Sequence, residues 1–270
     1  METVSLEALF DLRGRTVVLT GGGRGIGRAL ADGLAAAGAT LVLVGRDSKT
    51  LDRAASELTK QYAAKVHCFP SDLSRRNAVR ALSAEVLSRL GHVDVFVHNA
   101  GFEGLEPIEK ITEPNLNAVL ETNFIAAALL SQAFIPTMRK KGWGRLVFLT
   151  SATTSASSIE GHSIYTASKS ALEGFARTLA VELGRSGITA NCISPGTYLT
   201  DQATGVLKSL GEAQGKQVYK AFADMSAIGR WGDPREMIGL TLLLCSNASS
   251  YITGETIRVD GGLAIKLRPS

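Results

Sequence analysis

The sequence predicts a single α/β domain built on a doubly wound, seven-stranded parallel sheet with helices on both faces. Short runs of β-branched residues alternate regularly with longer segments of helical spacing, which is typical of a parallel sheet covered on both sides. Several runs, such as 17–19 and 41–44, are continuously apolar, as expected for strands buried on both faces. Because no proline- or serine-rich linker divides the 270 residues, one domain over residues 1–270 is expected.

The alternation assigns each element in turn. The expected strands are residues 16–20, 40–44, 65–69, 93–98, 145–150, 188–194 and 256–259. The expected helices are residues 29–37, 51–62, 78–90, 116–138, 163–183 and 235–245. The rhythm lapses only over residues 196–228, which we interpret as a substrate-side cover, either a lid or a small helical insertion. Residues 1–13 are expected to form an N-terminal arm, and residues 263–270 a C-terminal tail.

Composition narrows the class of protein. The 29 Lys and Arg exceed the 25 Asp and Glu by only four, and the excess is spread along the chain, which argues against a nucleic-acid partner. The richest apolar stretch, 125–135, is too short for a membrane span, and residues 1–12 lack the basic start of a signal peptide. The three cysteines are far apart and show no metal-ligand spacing, so we expect reduced thiols, no bound metal and a cytoplasmic protein.

A glycine-rich turn follows the first predicted strand and opens the first predicted helix. It reads Thr20-Gly21-Gly22-Gly23-Arg24-Gly25-Ile26-Gly27. Glycines at such a turn let the backbone approach a pyrophosphate, and the helix N-terminus offers unpaired N–H groups and a partial positive charge. A glycine cluster alone could be a structural turn, but its position between strand and helix indicates a dinucleotide site.

Tyr165 and Lys169 lie four residues apart in a segment of helical spacing, so they share one helix face. A phenol has a pKa of about 10, so it acts as a general acid or base near neutrality only when its anion is stabilised. A nearby ammonium group does this by opposite charge. An isolated pair of this kind is usually a surface pair, whereas beside a dinucleotide site it is a candidate for proton transfer.

The glycine spacing resembles that of the short-chain dehydrogenase/reductase family, and the resemblance covers nearly the whole chain. Further matching motifs follow in the family's order: Asp72-Leu73, Asn99-Ala100-Gly101, Asn123, Ser151, Tyr165-x-x-x-Lys169, Pro195-Gly196-x-x-x-Thr200, Gly229-Arg230-x-Gly232-x-Pro234, Thr253-Gly254 and Val259-Asp260-Gly261-Gly262. The chain is similar to the single-domain branch, which has a Rossmann-type fold. The resemblance implies an NAD(P)(H)-dependent oxidoreductase that transfers hydride between the nicotinamide and a carbonyl or secondary alcohol.

The resemblance also implies a catalytic set of Asn123, Ser151, Tyr165 and Lys169. Tyr165 would exchange a proton with the substrate oxygen, and Ser151 would hydrogen-bond that oxygen. Lys169 would also hold the nicotinamide ribose, and Asn123 would anchor a water that passes protons onward. Ser151 lies fourteen residues before Tyr165, one more than is usual in the family, and the alternative serines in the same loop are Ser155, Ser157 and Ser158.

The implied cofactor contacts come from the ends of several strands. The adenine would lie against Asp72 and Leu73, and the nicotinamide end would lie against the segment that follows the sixth strand. The full implied set is Gly21, Gly23, Arg24, Gly25, Ile26, Gly27, Arg46, Asp72, Leu73, Asn99, Ala100, Gly101, Tyr165, Lys169, Pro195, Gly196, Leu199 and Thr200. His98 replaces the family's first Asn, either as a strand-end histidine with a satisfied hydrogen bond or as a residue with a catalytic part.

The choice of cofactor is argued from charge. A free ribose 2′-hydroxyl suits an acidic acceptor at the end of the second strand, whereas a 2′-phosphate requires cations. The family's acidic position corresponds to Gly45, with Arg46 next to it and Arg24 inside the glycine turn. These residues favour NADP(H), while Asp47, one residue further on, leaves NAD(H) possible.

The substrate pocket is expected between Phe102, residues 153–162, Tyr198 and the cover. Glu160 and His162 would suit a hydroxylated substrate, and Tyr198, Phe222 and Met225 an apolar one. The segment Leu9-Phe10-Asp11-Leu12-x-Gly14, with the whole chain, resembles sugar-acid or polyol dehydrogenases such as gluconate 5-dehydrogenases. The same motifs are shared by 3-oxoacyl thioester reductases.

Two apolar stripes, in residues 116–138 and 172–183, are either core or interface. The resemblance implies a homotetramer, or a homodimer, in which these helices form one contact. Two other functions stay open: an NADP(H)-binding sensor without turnover, and a lyase or isomerase on the same fold.

Overall fold

Seven parallel strands form one sheet in the order β3-β2-β1-β4-β5-β6-β7. The structure, a computed structural model, describes residues 5–155 and 158–266. The strands are β1 Thr16–Thr20, β2 Thr40–Gly45, β3 Val66–Pro70, β4 Val95–His98, β5 Gly144–Leu149, β6 Ile188–Pro195 and β7 Thr256–Val259. The α-helices of the described residues are α1 Leu6–Phe10, α2 Gly25–Ala36, α3 Ser48–Tyr62, α4 Arg76–Leu90, α5 Glu113–Leu120, α6 Ala126–Lys141, α7 Ser163–Leu183, α8 Asp201–Ser209, α9 Glu212–Ala223 and α10 Ile238–Cys245.

The predicted fold class is confirmed, because all seven strands pair in parallel and helices cover both faces. Alternate residues of each strand belong to two separate cores, as the two-residue period of a strand requires. Val18, Phe96 and Phe148 pack with α4, α6 and α7 on one face. Val17, Leu19 and Val97 pack with α2, α3 and α10 on the other. This double burial explains why the strands are continuously apolar in sequence.

The order of the strands places a crevice at one edge of the sheet. β1 pairs with both β2 and β4, so the chain leaves β1 in one direction for β2 and β3 and returns on the other side for β4 to β7. Ligands of open parallel sheets bind outside the carboxyl ends of the strands at such a switch point. The glycine-rich turn follows β1 at that position.

The helix predicted over 116–138 is interrupted by a π-helical turn at Glu121–Ile125, between α5 and α6. The whole segment, Glu113–Lys141, is 29 residues long and apolar enough to cross a membrane by length and composition alone. Leu130, Phe134 and Met138 on its inner side are fully buried in the core of this domain. The same apolar pattern is therefore explained by packing against the sheet.

The structure describes part of each predicted end. Within the predicted arm, residues 6–10 form α1, capped by the side chain of Ser5. Leu12 is fully buried, and its N–H donates to the carbonyl of Ala37 at 2.9 Å, so the domain begins before residue 13. At the other end, the Lys266 ammonium donates to the carbonyls of Asp224 and Ser226, which folds this part of the tail onto its own chain. The rest of the tail, 267–270, lies outside the described residues.

The segment predicted as a cover is a small helical insertion. It contains α8 and α9, which pack against each other through Gly215, where an added Cβ would lie 2.4 Å from the Leu207 carbonyl oxygen. α9 is joined to the following loop by Trp231, whose ring stacks on Tyr219 with centroids 5.6 Å apart. The Trp231 indole N–H also donates to the Tyr219 carbonyl at 2.9 Å.

Candidate active site

The glycine-rich turn is packed too tightly for side chains. At Gly27, an added Cβ would lie 2.0 Å from the carbonyl oxygen of Gly21. At Gly21, which has a φ of +69°, it would lie 2.7 Å from Asn99 Nδ2. The Asn99 amide donates to the carbonyls of Thr20 and Gly21, which ties the turn to the end of β4. The backbone of the turn is therefore fixed at the start of α2 with no side chain over it, so a phosphate could approach its N–H groups.

A cleft of about 810 Å³ lies at the switch point beside this turn. Its predicted lining residues are Gly21, Gly23, Arg24, Gly25, Ile26, Gly27, Arg46, Asp72, Leu73, Asn99, Ala100, Gly101 and Thr200. The cleft brings together residues that follow four strands, β1 to β4, with Ala118, Thr122 and three residues after β6, Thr200, Asp201 and Gln202. Its volume, its glycine floor and its arginines fit a dinucleotide.

The part of the cleft beside the end of β2 carries one arginine and one carboxylate, Arg46 and Asp47. Gly45 ends that strand, and Arg46 is exposed beside it. The Asp47 carboxylate caps α3, accepting hydrogen bonds from the Lys49 N–H and the Thr50 hydroxyl. These bonds lower the pKa of Asp47, the Thr50 contribution being the largest. Both Arg46 and Asp47 line the cleft, and the Asp47 carboxylate is engaged in the helix cap.

His98 is fully buried at the end of β4, with its Nδ1 atom 3.1 Å from the Thr20 hydroxyl oxygen. That oxygen already accepts hydrogen bonds from the N–H groups of Asn99 and Ala100, so its own proton points to His98. Burial lowers the pKa of His98 to about 3. His98 is therefore a neutral acceptor that braces the strand end.

Tyr165 lies on α7 and faces Ser151, the residue that caps the 3₁₀ turn after β5. Burial raises the pKa of the Tyr165 hydroxyl to about 12, while hydrogen bonding with Ser151 lowers it and the charge of Glu103 raises it. The phenol is thus a protonated donor across the neutral range. Of the alternative serines, Ser155 and Ser158 are exposed in the loop, and Ser157 lies outside the described residues.

Lys169 follows one turn later on the same face of α7, with its ammonium nitrogen 5.8 Å from the centre of the Tyr165 ring. It is buried and donates to the Leu149 carbonyl at 2.8 Å. Burial lowers the pKa of Lys169 to about 8. A Cβ added at Gly101 would lie 3.3 Å from the Lys169 nitrogen, so the end of β4 and this ammonium group are in close contact.

Asn123 lies in the π-helical turn and is fully buried. Its side-chain oxygen accepts from the Phe102 N–H at 2.8 Å, and its amide donates to the Phe102 carbonyl and the Ser168 hydroxyl. Ser168 donates in turn to the Tyr165 carbonyl at 2.7 Å. Both amide protons are used within the protein, so this side chain positions the loop after β4 relative to α7.

The segment after β6 reaches the cleft at Thr200, whereas the predicted contacts Pro195, Gly196 and Leu199 are not among the residues that line it. Pro195 ends β6, and the Gly196 N–H donates to the Val259 carbonyl at 3.0 Å. Leu199 is exposed, and Thr200 caps α8 across from Gly25. The predicted pocket residue Tyr198 is mostly buried and donates its hydroxyl proton to the Val259 carbonyl, so it supports this segment.

Two further side chains border Tyr165. The His162 ring lies 5.2 Å from the Tyr165 ring, centre to centre, and Glu103 lies 3.9 Å from His162. The sequence suggested His162 as a substrate contact, but Glu103 was not singled out. In the sequence it is only an acidic residue two positions after Asn99-Ala100-Gly101. Its place near Tyr165 depends on the bonds between Asn123 and Phe102, which the sequence does not show.

Comparisons with known proteins agree with this geometry. Residues 21–264 match the family described as "Enoyl-(Acyl carrier protein) reductase". The chain is 32% identical over 252 residues to a 3-oxoacyl-[acyl-carrier-protein] reductase of Aquifex aeolicus, covering 93% of this chain and 98% of the relative. It is 30% identical over 259 residues to gluconate 5-dehydrogenase of Gluconobacter oxydans, covering 96% and 98%. The structure of L-sorbose reductase from Gluconobacter frateurii, complexed with NADPH and L-sorbose, superposes with a TM-score of 0.91 at 31% identity, covering 96% of this chain and all of that one.

The fold and the site together define an oxidoreductase of the dinucleotide-binding α/β class. The relatives are 30–32% identical and align over nearly the whole chain, which identifies the family within that class. The chain belongs to the short-chain dehydrogenase/reductase family, as its motifs suggested.

Proposed function

We propose that this protein is an NADP(H)-dependent oxidoreductase that interconverts a carbonyl compound and the corresponding secondary alcohol. The observation that carries the proposal is the convergence of Ser151, Tyr165 and Lys169 beside Gly101, a residue that lines the cleft. A protein that only bound a dinucleotide would need the turn but would have no need of this convergence.

Each member of the set has a distinct task in carbonyl reduction. Bound NADPH would supply the hydride. The Tyr165 hydroxyl donates its proton to the carbonyl oxygen, and Ser151 hydrogen-bonds the same oxygen. The buried Lys169 ammonium stabilises the phenolate that remains, because opposite charges interact strongly away from water. Asn123 acts as a positioning residue through Phe102 and Ser168.

The preference for NADP(H) is supported by Arg24 and Arg46, both of which line the cleft. A guanidinium group binds a phosphate with two parallel hydrogen bonds. Asp47, the residue that left NAD(H) possible, is occupied in capping α3. Solved relatives were crystallised with NADPH or NADP, among them the L-sorbose reductase named above.

We infer a small-molecule substrate, with a sugar acid or polyol and its keto form as the first candidates. The names of the relatives support this class, because they include a gluconate dehydrogenase and a sorbose reductase. The alternative is a 3-oxoacyl thioester, which the Aquifex relative is named for. We also infer a cytoplasmic homotetramer.

The test is consumption of NADPH with a panel of ketoses, keto-sugar acids, cyclic ketones and 3-oxoacyl thioesters. Tyr165→Phe should lower kcat by at least about 100-fold, since general acid catalysis contributes about 10²- to 10⁴-fold. NADPH affinity should stay within about threefold, because the removed hydroxyl contacts the substrate oxygen. Tyr62→Phe, a tyrosine at the end of α3 outside this cleft, is the matched control.

Turnover of the Tyr165→Phe variant within tenfold of wild type would contradict the role of the phenol. NADPH binding without turnover on any class would favour the sensing function. Product formation without net NADPH consumption would favour a lyase or isomerase.

A further inference from the structure

The loop after β4 carries Glu103, whose carboxylate lies 3.9 Å from His162, the neighbour of Tyr165. Both backbone groups of Phe102 are bonded to Asn123, which fixes the residue that precedes Glu103. Further along, the Glu106 N–H donates to the Gly161 carbonyl at 3.2 Å, and a Cβ at Gly161 would meet Leu105 at 3.0 Å. The loop after β4 is thus fastened to the loop that precedes α7. Glu103 is positioned by contacts on both sides, although its side chain is mostly exposed.

The gap between Glu103 and His162 has the size of one bridging oxygen. His162 Nε2 and Glu103 Oε2 are 3.9 Å apart, which is too long for a direct hydrogen bond. A hydroxyl oxygen can lie about 2.8 Å from both atoms at that separation. With the imidazole proton on Nε2, the hydroxyl accepts from His162 and donates to Glu103. The His162 ring lies beside Tyr165, so a hydroxyl group of a molecule whose carbonyl meets Tyr165 can reach this gap.

The charge on this side of the cleft opposes anions. Among the four glutamates of residues 101–113, the charge that acts on Tyr165 and Lys169 is that of Glu103. Across from it, the loop of residues 158–162 adds Glu160. Glu103 is close enough to Tyr165 and Lys169 that its charge raises the pKa of both groups. A substrate carboxylate would meet this field, whereas a neutral substrate would not.

We propose that Glu103 and His162 form a subsite for a hydroxyl group of a neutral, polyhydroxylated ketone, and that Glu103 disfavours keto acids. The inference rests on the proposed function and chooses among its substrate classes. An ammonium group is the weaker occupant, because it can only donate and would leave the His162 N–H without an acceptor. It would also lie near the Lys169 cation.

L-Sorbose and 5-keto-D-gluconate provide the test, because they differ in a primary alcohol against a carboxylate at the end remote from the ketone. We expect wild-type kcat/KM with NADPH to be at least about tenfold higher for L-sorbose. Glu103→Gln should reduce this ratio about fivefold, mainly by raising kcat/KM for 5-keto-D-gluconate. The effect is moderate because the charge of an exposed carboxylate is screened by solvent and salt. Glu109→Gln removes the same charge from the same loop in the 3₁₀ turn Ile108–Lys110 and should leave the ratio unchanged.

His162→Phe keeps a ring against Tyr165 but removes the N–H. We expect kcat/KM for L-sorbose to fall about tenfold, with NADPH affinity unchanged, and NADPH binding also shows that each variant is folded. A wild-type preference for the keto acid, an unchanged ratio in Glu103→Gln, or a preference for a cationic amino ketone such as tropinone would overturn the subsite.

The same panel separates this inference from the proposed function. Turnover of a 3-oxoacyl thioester with none on L-sorbose would overturn the subsite and leave the reductase intact. No turnover on any carbonyl compound would contradict the reductase, and with it the subsite.

Discussion

At the scale of single residues, this site depends on which charged side chains already have hydrogen-bond partners within the protein. Arg46 and Asp47 are neighbours with opposite charges, and both line the cleft, but the Asp47 carboxylate accepts hydrogen bonds from the Lys49 N–H and the Thr50 hydroxyl. The sequence alone could not decide between them, since a carboxylate one residue past the family's position could still reach the ribose. The structure adds that both Asp47 oxygens accept hydrogen bonds within the α3 cap, which supports the proposed role of Arg46.

Arg46→Asp should therefore reverse the preference for the cofactor. We expect the ratio of the NADH to the NADPH dissociation constant to fall by at least about tenfold, since a charge-assisted contact to phosphate is lost and a repulsive one replaces it. Equilibrium binding of both nucleotides measures this ratio. Arg53→Asp makes the same change of charge on α3 away from the cleft and should leave it unchanged. Equal binding of NADH and NADPH to the wild type would contradict the assignment.

Lys169 is a second residue whose burial matters. Burial of its charge away from water destabilises the folded chain, and the same burial lowers the pKa of Lys169 from 10.5 to about 8. Lys169→Met should raise the free energy of unfolding at pH 7 by about 1–3 kcal/mol while abolishing turnover. Urea denaturation at constant pH measures the change. Lys60→Met, at an exposed position on α3, should change stability by less than about 0.5 kcal/mol.

The pH dependence of that difference has a definite sign. Between pH 8 and 10.5 the unfolded lysine holds a proton that the folded one has lost, so wild-type stability rises with pH in this window. The advantage of Lys169→Met should accordingly shrink between these pH values. A difference in stability that stays constant from pH 7 to 10 would contradict the low pKa.

At the scale of the elements, the sequence predicted most of the architecture. α7 and β7 match their predicted ranges to the residue, because their apolar patterns end at clear breaks. The π turn between α5 and α6 was not predicted, since an extra residue in one turn leaves the apolar pattern of a long helix nearly unchanged. It matters for the site because it carries Asn123, and such turns are frequent at functional positions.

Gly27 offers a test of how tightly α2 must approach the turn before it. Gly27→Ala would drive a Cβ toward the Gly21 carbonyl, so we expect stability to fall by about 1–3 kcal/mol and NADPH affinity to fall at least about tenfold. Gly239→Ala in α10 meets no atom within 4 Å and should raise stability by about 0.5–1 kcal/mol. Thermal unfolding and NADPH titration distinguish them. Equal changes of stability and NADPH affinity in the two variants would contradict the close contact between Gly27 and the Gly21 carbonyl.

At the scale of the whole molecule, the seven-stranded parallel sheet followed from the sequence, whereas the assembly did not. The stripe Leu172, Ala176, Leu179 and Leu183 is buried within the domain, so the core accounts for it without a partner. Val181, on the same helix, is 85% exposed and is better placed for an interface. A pattern of apolar residues cannot by itself separate these two kinds of burial.

The proposed homotetramer should be detectable by sedimentation. Val181→Glu should shift the protein to smaller species, because a charge would be buried between subunits on α7. Ile108→Glu, at a position that is 65% exposed in the loop near the cleft, should leave the assembly unchanged. A wild-type protein that sediments as a single chain would contradict the assembly.

The stacking of Trp231 on Tyr219 gives the molecule a built-in optical reporter. The chain has two tryptophans, and Trp143 lies against Arg15 and Arg145, next to the amino end of β5 and far along that strand from the cleft. Trp143→Phe would leave one indole, joined to α9 on the cover. Reduced nicotinamide absorbs where indole emits, so quenching of that fluorescence would follow cofactor entry and movement of the cover in real time.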